Sequence, residues 1–404
     1  MKKQLILAGF KPVVIGKLID QTLLNNYSKF LYYKFSLQNK SKIIVENNSE
    51  EDCIFDTVSE QVDKYAVSQK YINKRQVCIF EGVEDFIENE MSFTDISDYP
   101  LPRNFKNTEN EVHGPKIEAR MDWYKKEMKK VFDFFYEEKE VSPENLIHVT
   151  CSGYASPSIA QIAMINRGWL NATVTHSYQM GCYGAFPAMR TANALLTESD
   201  TNGRVDIVHT ELLSAHLDLT KLSAANSMIC SLFSDGFIGY SLFEESKFTK
   251  DKVYKNGLRI IAQHEVIIDD SVEDMTWDLG EYNFLMTLSR KVPVFIRKNI
   301  KSFLTDLCKK GNIDLEKEKY DLLYAIHPGG PKIIDYIVEE LKLFKEQAKW
   351  SYAVLKRQGN MSSATIPHIF HDMIEDDSIK PGTKIVAMAF GPGLTATSLL
   401  VEKI

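Results

Sequence analysis

The sequence predicts an α/β protein built from two similar halves. Three observations carry that expectation. Strand-like and helical hydrophobic patterns alternate along the chain. The alternation begins again after a polar stretch around residues 245–258, which contains Glu244, Glu245, Lys247, Lys250, Asp251 and Lys252. A chain of 404 residues can bury one double-sized core or two similar ones. The halves are placed at residues 1–250 and 251–404.

Taken in order, Leu5 to Val14 reads as a first strand, residues 39–42 as a turn and residues 43–45 as a short strand. Glu50 to Arg75 reads as a helix with Val58, Val62 and Tyr65 on one face. Residues 91–115, rich in Asp, Asn, Pro and Gly, read as a loop. Ile117 to Lys139 is an amphipathic helix that turns Met121, Tyr124, Met128, Val131, Phe132 and Phe135 inward. Leu146 to Thr150 is a strand, followed by a helix through Ile159, Ile162 and Ile165. Ala172 to Tyr178 reads as a buried strand, Met189 to Leu196 as a helix and Val205 to Thr210 as a strand. Met228 to Phe233 and Phe237 to Leu242, around Ser234-Asp235-Gly236, read as a hairpin. In the second half, Val292 to Cys308 and Lys332 to Phe344 are helices, Leu322 to Ile326 is a strand, and Thr383 to Phe390 and Ala396 to Val401 close the fold.

Composition narrows the function. Charged residues at 25% and hydrophobic residues at 44% suit a soluble globular protein. The net charge of −7 argues against general nucleic-acid binding, and an acidic partner would need a local basic patch. The six cysteines form no C-x-x-C pair and no cluster with His, so no metal is expected. Scattered thiols fit a reducing cytoplasm. The apolar run from Leu5 to Ala8 is too short for a signal peptide, and no stretch approaches a membrane span.

The stretch from Gln179 to Phe186 places Cys182 between a strand and a helix that Pro187 fixes within its first turn. Free N–H groups and the helix dipole at such a start favour an anion, so Cys182 is expected to ionise readily and act as a nucleophile. Gly181 and Gly184 allow a tight turn and close approach of a substrate. Two further turns, Ala325 to Pro331 and Gln358 to Ala364, place His327 and Asn360 at strand or loop ends. An imidazole can hold a thiolate as an ion pair, and an imidazole and an amide can both donate to a developing thioester oxyanion.

These stretches resemble a known family. Gly181 to Phe186, His327 to Pro331, Gly359 to Ala364 and Phe390 to Thr395 are similar, in sequence and in order, to the motifs of the type III polyketide synthases. These are the chalcone synthase-like members of the thiolase superfamily. The separations of 145 residues from Cys182 to His327 and of 33 from His327 to Asn360 also agree with that family. The resemblance runs from about Ile117 to the C-terminus, and Trp277 to Gly280 with Leu288 to Pro293 looks like its bacterial branch. It implies a thiolase-like five-layered αβαβα fold, a homodimer, and no cofactor beyond substrates delivered as coenzyme A or acyl carrier protein thioesters. It implies that Cys182 takes the acyl group while His327 and Asn360 stabilise an enolate and polarise the thioester. Phe233 matches the aromatic gatekeeper of the pantetheine tunnel. Ser152, Leu213, His216, Met286 and Ser362 match cavity positions, and Cys151 stands where many members have Thr.

The sequence also departs from the family. Val62, Tyr65 and Gln69 occupy positions where plant members use basic residues to grip coenzyme A phosphates. Tyr240 stands where small residues are usual. Carrier proteins are acidic, so Lys64, Lys70, Lys74 and Arg75, or Lys125, Lys126, Lys129 and Lys130, are docking candidates. The expected activity is a Claisen condensation from Cys182 giving pyrone- or resorcinol-type products. The alternatives are a ketosynthase that joins two carrier-bound β-ketoacyl chains into an α-pyrone without iteration, and a catalytically silent partner subunit.

Overall fold

A computed structural model of the chain describes residues 3–38, 51–78, 115–137, 141–198, 203–218, 221–251 and 254–404. The first half contains β1 (Leu5–Val13), β2 (Lys17–Asp20), α1 (Gln21–Gln38), α2 (Glu51–Tyr65), β3 (Lys74–Val77), α3 (Ile117–Tyr136), β4 (Asn145–Thr150), α4 (Ile159–Asn166), β5 (Thr173–Tyr178), α5 (Ala185–Glu198), β6 (Arg204–Glu211), α6 (Ala224–Leu232), β7 (Gly236–Glu244) and α7 (Glu245–Asp251). There follow β8 (Leu258–Ile267), β9 (Met275–Leu279), β10 (Phe284–Leu288), α8 (Val292–Lys310), α9 (Leu315–Glu318), β11 (Leu323–Ile326), α10 (Pro331–Leu341), α11 (Lys349–Gln358), α12 (Thr365–Glu375), β12 (Lys384–Gly391) and β13 (Thr395–Lys403).

Nine strands form one sheet in the order β11-β12-β13-β8-β1-β7-β6-β4-β5. Two portions of it meet where β1 pairs with β8, at Ile6 with Arg259 and Leu7 with Leu258. Each portion has antiparallel strands beside that seam and parallel strands at its far end. Side chains alternate across a strand, and this alternation sets the layers. Ile385, Ala387 and Ala389 of β12 join the cluster of Ala188, Met189 and Ala192 from α5 and Ile366, Ile369 and Phe370 from α12. The intervening Val386, Met388 and Phe390 pack with residues of α8 and α10. In the other portion, Ile147 and Val149 of β4 face the central cluster, while Leu146 faces α3 and α4. Helices α5 and α12 are therefore a central layer between two sheet portions, each with helices outside it. This is the five-layered αβαβα arrangement.

Three expected elements differ. The run Met228 to Phe233 is helical because Ser223 caps α6, its side chain accepting from Asn226 N, and β7 pairs with β1 and β6 instead of forming a hairpin. The expected helix to Arg75 stops at Tyr65, and β3 pairs with β2. The strand after Ala172 is not buried: β5 ends the sheet, pairs through one edge only and is half exposed. The expected turn at 39–42, the strand at 43–45 and the loop over 91–114 lie outside the described residues.

Arg75 is also not a surface residue. Its guanidinium is buried and donates to Gln21 Oε1 at 2.8 Å, Cys230 O at 2.7 Å and Phe233 O at 2.8 Å, tying β3 to the end of α6. Such a cation anchors the fold and cannot reach a partner protein. Arg75→Ala should lower the free energy of unfolding by about 2–4 kcal/mol, because it leaves buried acceptors unpaired. The exposed Lys74 sets the comparison: Lys74→Ala should stay within about 0.5 kcal/mol by chemical denaturation.

Candidate active site

Cys182 sits on a short turn, Gly181–Tyr183, between β5 and α5. Gly181 has φ +66°, and a Cβ there would lie 2.8 Å from Pro392 Cδ. Both the left-handed backbone and the close approach require glycine. A Cβ on Gly184 would meet Ser363 Cβ at 3.2 Å, so this small residue lets the Cys182 turn approach the second motif.

That second motif is held by backbone pairing. Asn360 N donates to Leu232 O at 3.0 Å, and Asn360 O accepts from Ser234 N at 2.9 Å. The Asn360 side-chain oxygen accepts from Ser362 N at 2.8 Å. This orients the amide, leaving Nδ2 as a buried donor with no protein partner. Ser362 has φ +48°, a conformation rare for a residue with a side chain and often found at functional positions. Ser362 and Asn360 both stand near Cys182 and favour its thiolate.

His327 follows β11, and its backbone N donates to Met388 O of the adjacent β12 at 2.9 Å. Strand β12 packs directly on the Cys182 turn. The imidazole is fully buried, and neither ring nitrogen has a partner among the described residues. Three buried nitrogen atoms thus remain available to a substrate oxygen or a migrating proton.

The charge states differ from the expected ion pair. Burial pushes the Cys182 thiol up to about 12, outweighing the opposing influence of the nearby Ser362 and Asn360. Burial also pulls His327 down to about 3. Burial thus favours a neutral thiol and a neutral imidazole, because the turn that would favour a thiolate lies inside a dry layer.

A cavity of about 350 Å³ leads to this point. Lys221 and Asp278 stand at its exposed end, and Cys182, Gly181, Cys151 and Ser362 line its inner wall. Phe233, Leu213, His216 and Met286 line it too. His216 is fixed: its Nε2 lies 2.6 Å from Ser152 O, its Nδ1 accepts from Phe284 N at 3.1 Å, and its ring stacks on Phe284 at 4.3 Å. Ser152 stands behind the wall, where its Oγ accepts from Leu212 N at 2.7 Å and donates to Glu211 at 3.1 Å.

Glu211 was missed in the sequence. It ends β6, fully buried, and receives Cys151 N at 3.0 Å and Cys151 Sγ at 3.3 Å on one oxygen and Ser363 Oγ on the other. Cys151 Sγ lies 3.0 Å from Ser362 Oγ, which links this carboxyl to the surroundings of Cys182. Burial pushes Glu211 up to about 7, against the hydrogen bonds from Ser363, Cys151 and Ser152. A Glu closing the apolar run Val205 to Thr210 is the signal that could have found it.

Among the docking candidates, Lys64, Lys70 and Lys74 are exposed. Val62 belongs to the core with Ile19, Leu24 and Phe30, and Gln69 donates to Asp20 at 2.8 Å. Lys125, Lys129 and Lys130 pair with Asp122, Asp133 and Glu127. Lys126 is exposed. Among the described residues no cluster of His, Cys, Asp or Glu could hold a metal, and no helix is long and apolar enough to cross a membrane.

The thiol chemistry gives a direct test. Cys182 and Cys151 are both raised by burial, and Glu211 adds to the rise of each. Alkylation of Cys182 should therefore be slow at neutral pH and accelerate steadily into the alkaline range, ahead of Cys151. Peptide mapping after iodoacetamide treatment would measure both rates. A rate for Cys182 that is already at its plateau near neutrality would contradict the dry, protonated thiol.

Known proteins share this fold and part of this sequence. Residues 259–404 match the family model for chalcone and stilbene synthases, C-terminal domain. A Bacillus subtilis (strain 168) protein named as a chalcone synthase is 25% identical over 339 residues, covering 76% of this chain and 90% of that protein. A polyketide synthase structure from the brown alga Ectocarpus siliculosus superposes with a TM-score of 0.78 at 20% identity, covering 100% of this chain and 99% of the other. The 1,3,6,8-tetrahydroxynaphthalene synthase of Streptomyces coelicolor, a bacterial type III polyketide synthase, gives 0.73 at 18% identity over 98% and 99%. The structural likenesses establish the fold. Residues 259–404, which carry His327 and Asn360, are similar to the C-terminal domain of the chalcone and stilbene synthases, and the chain is a type III polyketide synthase-like condensing enzyme, an acyltransferase.

Proposed function

We propose that the chain loads an acyl or β-ketoacyl group on Cys182 and condenses it with a second thioester to give a pyrone- or resorcinol-type product. The observations that carry this reading are the buried nitrogens of His327 and Asn360, which have no partner among the described residues, and a thiol, Cys182, on the wall of a cavity. In the first step the Cys182 sulfur attacks the thioester carbon, its proton passes to the neutral His327, and the donor thiolate leaves with that proton. In the second, the extender becomes an enolate by losing carbon dioxide or an α-proton. The enolate carbon attacks the carbonyl of the new thioester, and the carbon–sulfur bond breaks so that Cys182 leaves as a thiolate and takes up a proton. His327 donates to the oxygen that gains charge in each step, and Asn360 joins it in the condensation. Acyl units arrive as thioesters, and the chemistry needs no cofactor.

The reading extends to the assembly. We place the division between halves at residues 250 and 251, supported by the polar helix α7 between β7 and β8. The family resemblance supports a homodimer, and the unpaired described cysteines support a reducing, cytoplasmic setting.

Mass spectrometry after incubation with an acyl donor tests the assignment. Wild type should gain one acyl adduct, on the peptide of Cys182, and Cys182→Ala should gain none and form no product. Wild type without an adduct would instead describe a silent partner subunit. Asn360→Ala should lower condensation by about 10²–10³ while sparing loading, the usual loss for one oxyanion donor. His327→Ala should slow both half-reactions, since loading also needs a proton acceptor.

A carrier protein is the better fit as donor. Buried Val62 and the tied Gln69 offer no grip on coenzyme A phosphates, while Lys64, Lys70 and Lys74 present exposed positive charge. The pantetheine arm is common to both donors, so discrimination falls to this surface. At low salt, kcat/KM should be higher for an acyl carrier protein donor than for the same acyl group on coenzyme A, and added salt should erode the difference. Charge reversal at Lys64 and Lys70 should weaken only the carrier reaction. A better coenzyme A donor at low salt would reject the carrier reading.

A further inference from the structure

Tyr240, the bulky residue where small ones were expected, is the outer end of a buried chain of hydrogen bonds. Its Oη lies 3.0 Å from His209 Nε2, His209 Nδ1 lies 2.9 Å from Ser363 Oγ, and Ser363 Oγ meets Glu211 Oε1. All four side chains are buried. Phe10 stacks on the tyrosine ring at 4.8 Å and fixes its plane.

The direction of this chain follows from donor arithmetic. His209 is fully buried, and burial keeps its imidazole neutral, so one ring nitrogen donates and the other accepts. The Tyr240 hydroxyl has His209 Nε2 as its hydrogen-bond partner, and donating there satisfies its proton. His209 Nδ1–H is then the donor to Ser363 Oγ, and the Ser363 hydroxyl hydrogen is left for Glu211 Oε1. On the other carboxylate oxygen, Cys151 and Ser152 also supply hydrogens. Every contact therefore offers Glu211 a proton donor, an arrangement that suits a carboxylate and not a carboxylic acid.

We propose that Tyr240 and His209 are positioning residues that turn the Ser363 hydroxyl toward Glu211 and so keep a carboxylate populated in the wall behind Cys151 and Ser362. The consequence reaches the active site. An ionised Glu211 draws the Cys151 S–H to itself, which leaves the Cys151 sulfur to accept from Ser362, the neighbour of Cys182. Without the Tyr240 hydroxyl, His209 can adopt its other tautomer. Its Nδ1 then accepts from Ser363, and Glu211 loses that donor.

The groups that act on Glu211 are Cys151 on the loop after β4, Cys182 on its turn and Tyr124 on α3. His148 on β4 and His368 on α12 act on His209. The two histidines are pulled down by burial and stay neutral. Tyr124 is raised by burial and also stays neutral. Around neutrality the titration of this cluster is therefore that of Glu211, whose carboxyl burial has pushed up to about 7.

Infrared difference spectroscopy of the full-length protein reads that carboxyl directly. The protonated carbonyl band absent from Glu211→Gln assigns the signal, which is then followed from about pH 5 to about pH 9. Tyr240→Phe should raise the midpoint by about one to two pH units, the worth of one hydrogen bond to a charged acceptor. Ser363→Ala should raise it at least as far, and the double variant no further, because Tyr240 acts only through Ser363. His209→Leu removes the competing acceptor together with the donor, so Ser363 still donates to Glu211 and the midpoint should stay near that of wild type. Ser363→Ala reads the lost donor if Tyr240→Phe does not fold. Phe10→Leu, which loosens the ring but keeps the hydroxyl, should leave the midpoint in place. An unchanged midpoint in Tyr240→Phe or in Ser363→Ala would overturn the proposal, as would additive shifts in the double variant. The reading concerns one carboxyl and holds or fails whatever reaction Cys182 supports.

Discussion

The active site depends on two buried helices that must start in the same place. Helices α5 and α12 lie between the two sheet portions, with apolar residues of both portions in contact with them. A helix start leaves N–H groups with no partner inside the helix, and a dry layer supplies no water to satisfy them. Here each helix is preceded by a short tight turn, Gly181–Tyr183 and Ser362–Ala364, and the two turns pack on each other. The donors, hydroxyls and thiols gather into one polar island inside an otherwise apolar layer. Small residues make this possible, since Gly181 tolerates Pro392 and Gly184 tolerates Ser363.

Desolvation then sets the charge of every group on that island. It raises the thiol of Cys182 and the carboxyl of Glu211, and it lowers the imidazoles of His327 and His209. A resting thiolate–imidazolium pair would have to offset the burial of two charges with one interaction. A neutral pair avoids this and can still move a proton when the substrate arrives. Glu211 differs in being surrounded by donors on both oxygens, and these oppose the cost of burying its charge.

The same economy explains the pocket wall. His216 is committed on both ring nitrogens and stacked on Phe284, while Trp277 donates to Cys151 O at 2.6 Å. The β9–β10 hairpin is thereby locked against the inner end of the cavity, and its Met286 lines the opening. Shape at this end comes from side chains whose polar atoms are already used, so the surface left to an acyl chain is largely apolar.

Local pattern was enough for much of this. The strands read at Leu5, Leu146, Val205, Thr383 and Ala396 stand in the sheet because alternation reports which face is buried. Cys182, His327 and Asn360 were legible because each sits in a turn whose small residues and chain order carry the family resemblance. The run Met228 to Phe233 was not, since a short apolar stretch fits strand and helix alike and Ser223 decided between them. Arg75 looked like a surface charge because its partners, Gln21, Cys230 and Phe233, come from distant segments. The sequence by itself determined the alternation of elements and the candidate reacting groups, which depend on neighbours along the chain. Only the tertiary structure decided the desolvation of Cys182 and His327, the donors gathered around Glu211 and the burial of Arg75. Desolvation and hydrogen bonding depend on which remote segments close around a group, and no local pattern records that.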